Sequence, residues 1–201
     1  MTISKPDHSS LASHREALWQ SYRRLPAYAV PKRWRPWLLD RGSLTRRLVA
    51  ASAGQFRVRI LTQGIAKPRR TEARALGIPH QQLGLIREVI LYGRDQPWVY
   101  ARSVLPLSSL TGRLTRLRKL DERPLGALLF ADPSLRRGKL ELACVEPEKM
   151  ALPQALGIFD TSLWGRRSVF YIADKPLLVS EMFLPTFTPV NTASNDLSGY
   201  H

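Results

Sequence analysis

Cysteine is nearly absent: Cys144 is the single copy in the chain. One thiol excludes an intrachain disulfide and a thiolate metal cluster, and it fits a reducing compartment, so a cytoplasmic location is expected. Histidine is scarce as well. Of four copies, His8 and His14 fall in a polar leading segment and His201 is the last residue. His80 is left alone inside the core-forming region, so a multi-histidine metal centre lacks donors, and no triad signature surrounds any serine or Cys144. Long apolar runs are missing too. Stretches such as GALLFA at 126–131 fall far short of the ~18 residues that span a bilayer, and no stable membrane insertion is expected. The leading MTISKPDHSSLASHREALW carries Asp7 and Glu16 where an export signal would be apolar.

Acidic residues are in deficit. Lys and Arg number 31 against 16 Asp and Glu, a net charge of +15, with 24 of the cations arginine. Such a balance permits anionic partners. Nucleic acid is not the expected one, because aromatics make up only 8% and no DNA- or RNA-reading motif interleaves with the arginines. Steering of a small anion is the alternative use of the charge.

At 201 residues and 44% hydrophobic content the chain is long enough for one core-bearing domain, placed at 13–185, with disordered tails expected at 1–12 and 186–201. Leu18, Tyr22 and Leu25 recur at helical spacing before Pro26, and Trp34, Trp37 and Leu38 mark a second short helix. Ser43 is a candidate N-cap for SLTRRLVAAS, and Gly54 ends that run. The pattern then alternates in QFRVRILTQG, a strand, and a linker containing KPRR follows. GLIREVILYG and PWVYARSVLP, divided by RDQ, give the strongest hairpin signal, while RRSVFYIAD and PLLVSEMFLP form a second around DKP. Helical character returns at 107–131, with Pro124 opening PLGALLF, and KLELACVE reads as a strand. Strands joined by hairpins predict an α+β fold, an antiparallel β-sheet with flanking helices.

Three charges interrupt apolar strand faces. Arg87 stands in a row with Leu85, Val89 and Leu91, Arg102 with Trp98, Tyr100 and Val104, and Glu181 with Leu177, Val179 and Phe183. An unpaired buried charge costs several kcal/mol, so each requires a counter-charge, hydrogen bonds or a ligand. Arg87 and Glu181 could form an ordinary buried ion pair. Alternatively, arginines in an enclosed apolar pocket hold a small carboxylate while Glu181 accepts from a hydroxyl.

The segments LIREVIL, PWVYARSVLP, ERPLGALLF, LWGRRS and PLLVSEMFLP occur in the order and with the spacing of the chorismate pyruvate-lyase family, which the chain resembles from about residue 34 to 185. The resemblance implies a cofactor-independent carbon–oxygen lyase that eliminates pyruvate from chorismate to give 4-hydroxybenzoate, on the way to ubiquinone. A monomer is expected. It further implies that Arg87 binds the ring carboxylate, that Glu181 meets the ring hydroxyl, and that the backbone amides of Leu44 and Leu125 contact the ligand carboxylate. Leu44 replaces a methionine familiar in the family. Arg102 matches a second arginine facing the departing enolpyruvyl group. In LWGRRS, Gly165 is expected in a turn, Arg166 and Arg167 in solvent, and Trp164 in packing. The rival from another class is a small-acid-binding, effector-sensing domain of a transcription regulator with the same fold. Such regulators carry a separate DNA-binding segment, and the stretch before residue 43 is short and broken by proline.

Overall fold

In this computed structural model β3 (Gly84–Gly93) and β4 (Gln96–Pro106) form the first hairpin, and β6 (Leu163–Ile172) and β7 (Lys175–Phe183) the second. The structure describes residues 16–26, 28–146, 153 and 159–189. Both hairpins close on two residues with positive φ, Arg94 and Asp95 in one and Ala173 and Asp174 in the other, the primed-turn geometry whose twist suits paired strands. Edge to edge, β4 pairs with β7, and the sheet is completed by β2 (Phe56–Ala66), β5 (Arg136–Val145) and the short β1 (Gln20–Ser21). All neighbours are antiparallel in the order β1-β5-β6-β7-β4-β3-β2. The α+β expectation is met.

Helices cover both faces, which is why β3 and β4 are apolar nearly throughout and buried along most of their length. On one face lie α1 (Arg35–Leu38), α2 (Leu44–Ala51), a 3-10 segment Gly112–Lys119 and α4 (Leu125–Phe130). The expected cap forms, as Ser43 Oγ accepts from the Arg46 amide at 3.3 Å, a contact worth about 1 kcal/mol. On the other face lies α3 (Arg70–Leu76), which occupies the segment read as a linker. Its signals were local and polar: Glu72 closes a capping box on the Arg69 amide at 2.8 Å and Gly77 ends the helix at φ 67°.

Three other expectations change. The spacing of Leu18, Tyr22 and Leu25 gives strand β1 and a 3-10 turn, Tyr22–Arg24, with Leu18 left exposed, because Gln20 and Ser21 complete the edge of β5. The second tail does not begin at 186. Phe187 is buried against Trp37, Trp98 and Phe183. Gly165 sits inside β6 and not in a turn, where any Cβ would lie 2.1 Å from Met182 Sδ. The expected tail at 1–12, with His8, and the residues from 190 onward, including His201, lie outside the described residues.

Two β-bulges matter most. In β4 the pairing slips between Leu91↔Val99 and Tyr92↔Pro97, so Trp98 is the extra residue and every side chain beyond it changes face. In β5 it slips between Arg137↔Phe170 and Leu140↔Ser168, which carries Arg137 to the face that Leu140 and Leu142 share. Gly93 permits the first bulge, since a Cβ there would lie 2.2 Å from the Trp98 ring. A Gly93→Ala substitution is therefore expected to lower stability by about 1–3 kcal/mol, read as a shift of the urea midpoint.

Candidate active site

Between the two apolar clusters on the helical face, one around Trp37, Leu48 and Phe183 and the other around Leu114, Leu129 and Phe170, lies a partly open hollow. Its floor is the middle of the sheet. Ala101 stands between Val89 and Glu181, and Ser103 between Arg87 and Val179, so small side chains leave room where large ones would fill the layer. Its roof is the meeting of α2 and α4. Gly126 approaches so closely that a Cβ would lie 2.8 Å from Thr45 Oγ1. Leu44 and Leu125 each occupy the first helical position, where the backbone N–H has no acceptor within its own helix and the positive end of the helix favours an anion. Both line the hollow.

Arg87 is 2% exposed and lines the hollow from β3. Its Nη2 donates to the carbonyls of Asp121 at 2.7 Å and Arg123 at 3.2 Å, while Nε is buried without an acceptor among the described residues. Burial pushes its pKa down and nearby Asp121 partly offsets this. No carboxylate pairs with it among the described residues, so the expected alternative of an Arg87–Glu181 ion pair does not form.

Glu181 pairs instead with Arg166. Arg166 Nε donates to Glu181 Oε2 at 2.7 Å, and Nη1 donates to the carbonyls of Trp37 at 2.7 Å and Asp40 at 2.9 Å. These carbonyls end α1, so one guanidinium ties the helix terminus to the sheet and fixes the carboxylate. Glu181 Oε2 is thereby occupied and the group faces the hollow. Arg87 and Glu181 lie two strands and one side-chain row apart, about 12 Å between Cα atoms from standard strand spacing.

Arg166 and Arg167 were expected in solvent, and both are buried, at 1% and 6% exposure. Arg167, on the opposite face, donates to Glu141 at 2.7 Å and stacks on Trp19. Sequence reasoning also missed Arg137, which lines the hollow, donates from Nε to Ser168 Oγ at 3.0 Å and from Nη1 to the Asp40 carbonyl at 3.1 Å. The one available signal was Gly138 beside it, the mark of a bulge.

Arg102 does not join this group. The Trp98 bulge turns it to the other face, where it donates to Glu72 Oε1 at 2.7 Å and Oε2 at 3.1 Å and to Glu88 Oε1 at 2.7 Å. Tyr100 OH donates to the same Glu88 oxygen at 2.7 Å. Burial lowers the Arg102 pKa, but the two carboxylates outweigh it and hold it above the ordinary arginine value. The residue expected to face a leaving group thus pairs with two carboxylates on the face away from the hollow.

A profile of the family described as Chorismate lyase matches residues 13–192. A protein named probable chorismate pyruvate-lyase from Aromatoleum aromaticum is 40% identical over 178 residues, 85% of this chain and 94% of its own. One of the same name from Pseudomonas putida is 42% identical over 185 residues, 92% and 94% of the two chains. Among solved structures, PhnF from Mycobacterium smegmatis superposes with a TM-score of 0.51 at 19% identity, over 77% of this chain and 70% of that one. The C-terminal domain of the histidine utilization repressor from Pseudomonas syringae gives 0.51 at 10% identity, over 68% and 96%. These two likenesses concern the fold.

Removing Arg102 strands two buried carboxylates. Arg102→Met is expected to cost about 3–5 kcal/mol of stability, and adding Glu72→Gln and Glu88→Gln to recover a large part of it, as measured by urea denaturation of the single and triple variants.

Proposed function

Because the chain belongs to the chorismate lyase family, we propose that it eliminates pyruvate from chorismate and releases 4-hydroxybenzoate, an aromatic precursor of ubiquinone. The observation that carries this reading is the buried Arg87, without a carboxylate partner among the described residues, across a hollow from Glu181. Arg87 takes the ring carboxylate by a charge-assisted contact, joined by the amides of Leu44 and Leu125. Glu181 accepts from the ring hydroxyl, and the apolar walls of Val89, Leu129 and Phe170 clasp the ring faces.

In the reaction the C3–O bond breaks, its electron pair leaves with enolpyruvate, and the C4 hydrogen departs as a proton while its electrons complete the aromatic ring. Enolpyruvate then takes up a proton and becomes pyruvate. Aromatisation supplies the driving force. The residues hold a diene acid so that the ether and the C4–H are aligned, and they surround the developing anion with fixed positive charge. Glu181 orients the hydroxyl on the carbon that loses the proton. The product keeps the carboxylate and hydroxyl that Arg87 and Glu181 recognise, so slow release accompanies the chemistry.

Purified protein incubated with chorismate is expected to yield pyruvate and 4-hydroxybenzoate in equal amounts, and added 4-hydroxybenzoate to inhibit competitively. A protein that binds chorismate and leaves it unchanged is the effector-sensing domain of the rival reading. Arg87→Met is expected to weaken 4-hydroxybenzoate binding at least 30-fold, about 2 kcal/mol, measured by calorimetry. Glu181→Gln is expected to lower kcat at least tenfold, and full turnover in that variant would remove the carboxylate from the reaction.

A further inference from the structure

Three guanidiniums line the hollow, those of Arg87, Arg137 and Arg166, against the one carboxylate of Glu181. Glu181 answers Arg166, and the ring carboxylate assigned above answers Arg87, which leaves Arg137 as a cation facing the hollow with no carboxylate against it among the described residues. Resting on the lyase reading, we propose that Arg137 binds the carboxylate of the enolpyruvyl arm and stabilises the enolpyruvate that departs. The role expected of Arg102 from the sequence thereby passes to a residue on another strand.

The geometry favours this position over any other on the wall. Arg137 and Arg166 both donate to the Asp40 carbonyl, at 3.1 and 2.9 Å, so two positive groups share one neutral acceptor and an anion between them relieves the repulsion. They stand at the Glu181 end of the hollow. In the substrate the enolpyruvyl ether is on the carbon next to the hydroxyl-bearing one, so the arm starts at the end of the ring beside Glu181, where this pair stands. Arg166 donates from Nε to the Glu181 carboxylate, so its charge already has a counter-ion. On Arg137, Ser168 and Asp40 hold Nε and Nη1, and Nη2 has no protein acceptor among the described residues. Burial, followed by the charge of Arg166, pushes the Arg137 pKa down to about 10, with Glu181 and Asp40 partly offsetting the fall. Arg137 also borders an outer cleft lined by Arg24, Arg41, Lys139 and Glu141.

As the C3–O bond breaks, negative charge grows on the enolpyruvate oxygen, beside the carboxylate assigned to Arg137. The electron pair comes from the breaking bond and the compensating proton from C4, so no further reactant is needed. An arginine on this arm binds the substrate and stabilises the charge that grows only in the transition state, whereas 4-hydroxybenzoate, which has lost the arm, does not touch it.

The test compares wild type, Arg137→Met and Arg137→Lys in pyruvate release from chorismate, in calorimetric binding of 4-hydroxybenzoate and in thermal midpoint. Arg137→Met is expected to bind 4-hydroxybenzoate within threefold of wild type while kcat falls about 100-fold and KM rises, and Arg137→Lys to recover a measurable fraction of kcat. Equal loss of product binding and turnover, or an Arg137→Met kcat within threefold of wild type, overturns the assignment. Wild-type protein that releases no pyruvate overturns the lyase reading itself, a result visible before any variant is measured.

Discussion

An excess of buried positive charge governs this molecule. On the wall of one hollow, three guanidiniums, two buried and one half-buried, meet one carboxylate among the described residues. Charge removed from water costs several kcal/mol per group unless an anion or hydrogen bonds restore what water supplied. Backbone carbonyls of Asp121, Arg123, Trp37 and Asp40 supply part of it. The dicarboxylate substrate proposed above would supply the rest, and such complementarity would select it over a neutral ring of the same size.

The sheet makes such an arrangement tolerable by fixing its members independently. Arg87 is anchored to the loop before α4, Arg166 to the end of α1, and Arg137 to Ser168 on β6. Glu181 is held between Arg166 on β6 and the small Ala101 on β4. No two of the three arginines lie on the same strand. Catalysis by preorganised charge needs this, because groups that must rearrange during the reaction lose most of their advantage.

Periodicity made the two hairpins, α2 and the α4 start legible, since each rests on local rules: alternation, a cap, a proline at the helix opening. The apolar rows around Arg87 and Glu181 announced buried charge for the same reason. Arg102 and Arg137 escaped because a bulge has no hydrophobic signature. One inserted residue, Trp98, moved the first out of the hollow, and the slip at Gly138 and Lys139 moved the second into it. Arg166 and Arg167 escaped differently. Their alternation was visible, but their burial depends on carboxylates at 181 and 141, which lie on neighbouring strands. α3 was hidden by its polar surface, and its purpose shows only in Glu72, which both caps the helix and pairs with Arg102.

A crystal structure with 4-hydroxybenzoate bound decides whether the hollow is the site. The ligand is expected inside it, with its carboxylate on Arg87, its hydroxyl on Glu181 and space left open beside Arg137. A ligand held on the outer surface, or an Arg87 closed onto a carboxylate of the protein itself, would contradict that placement.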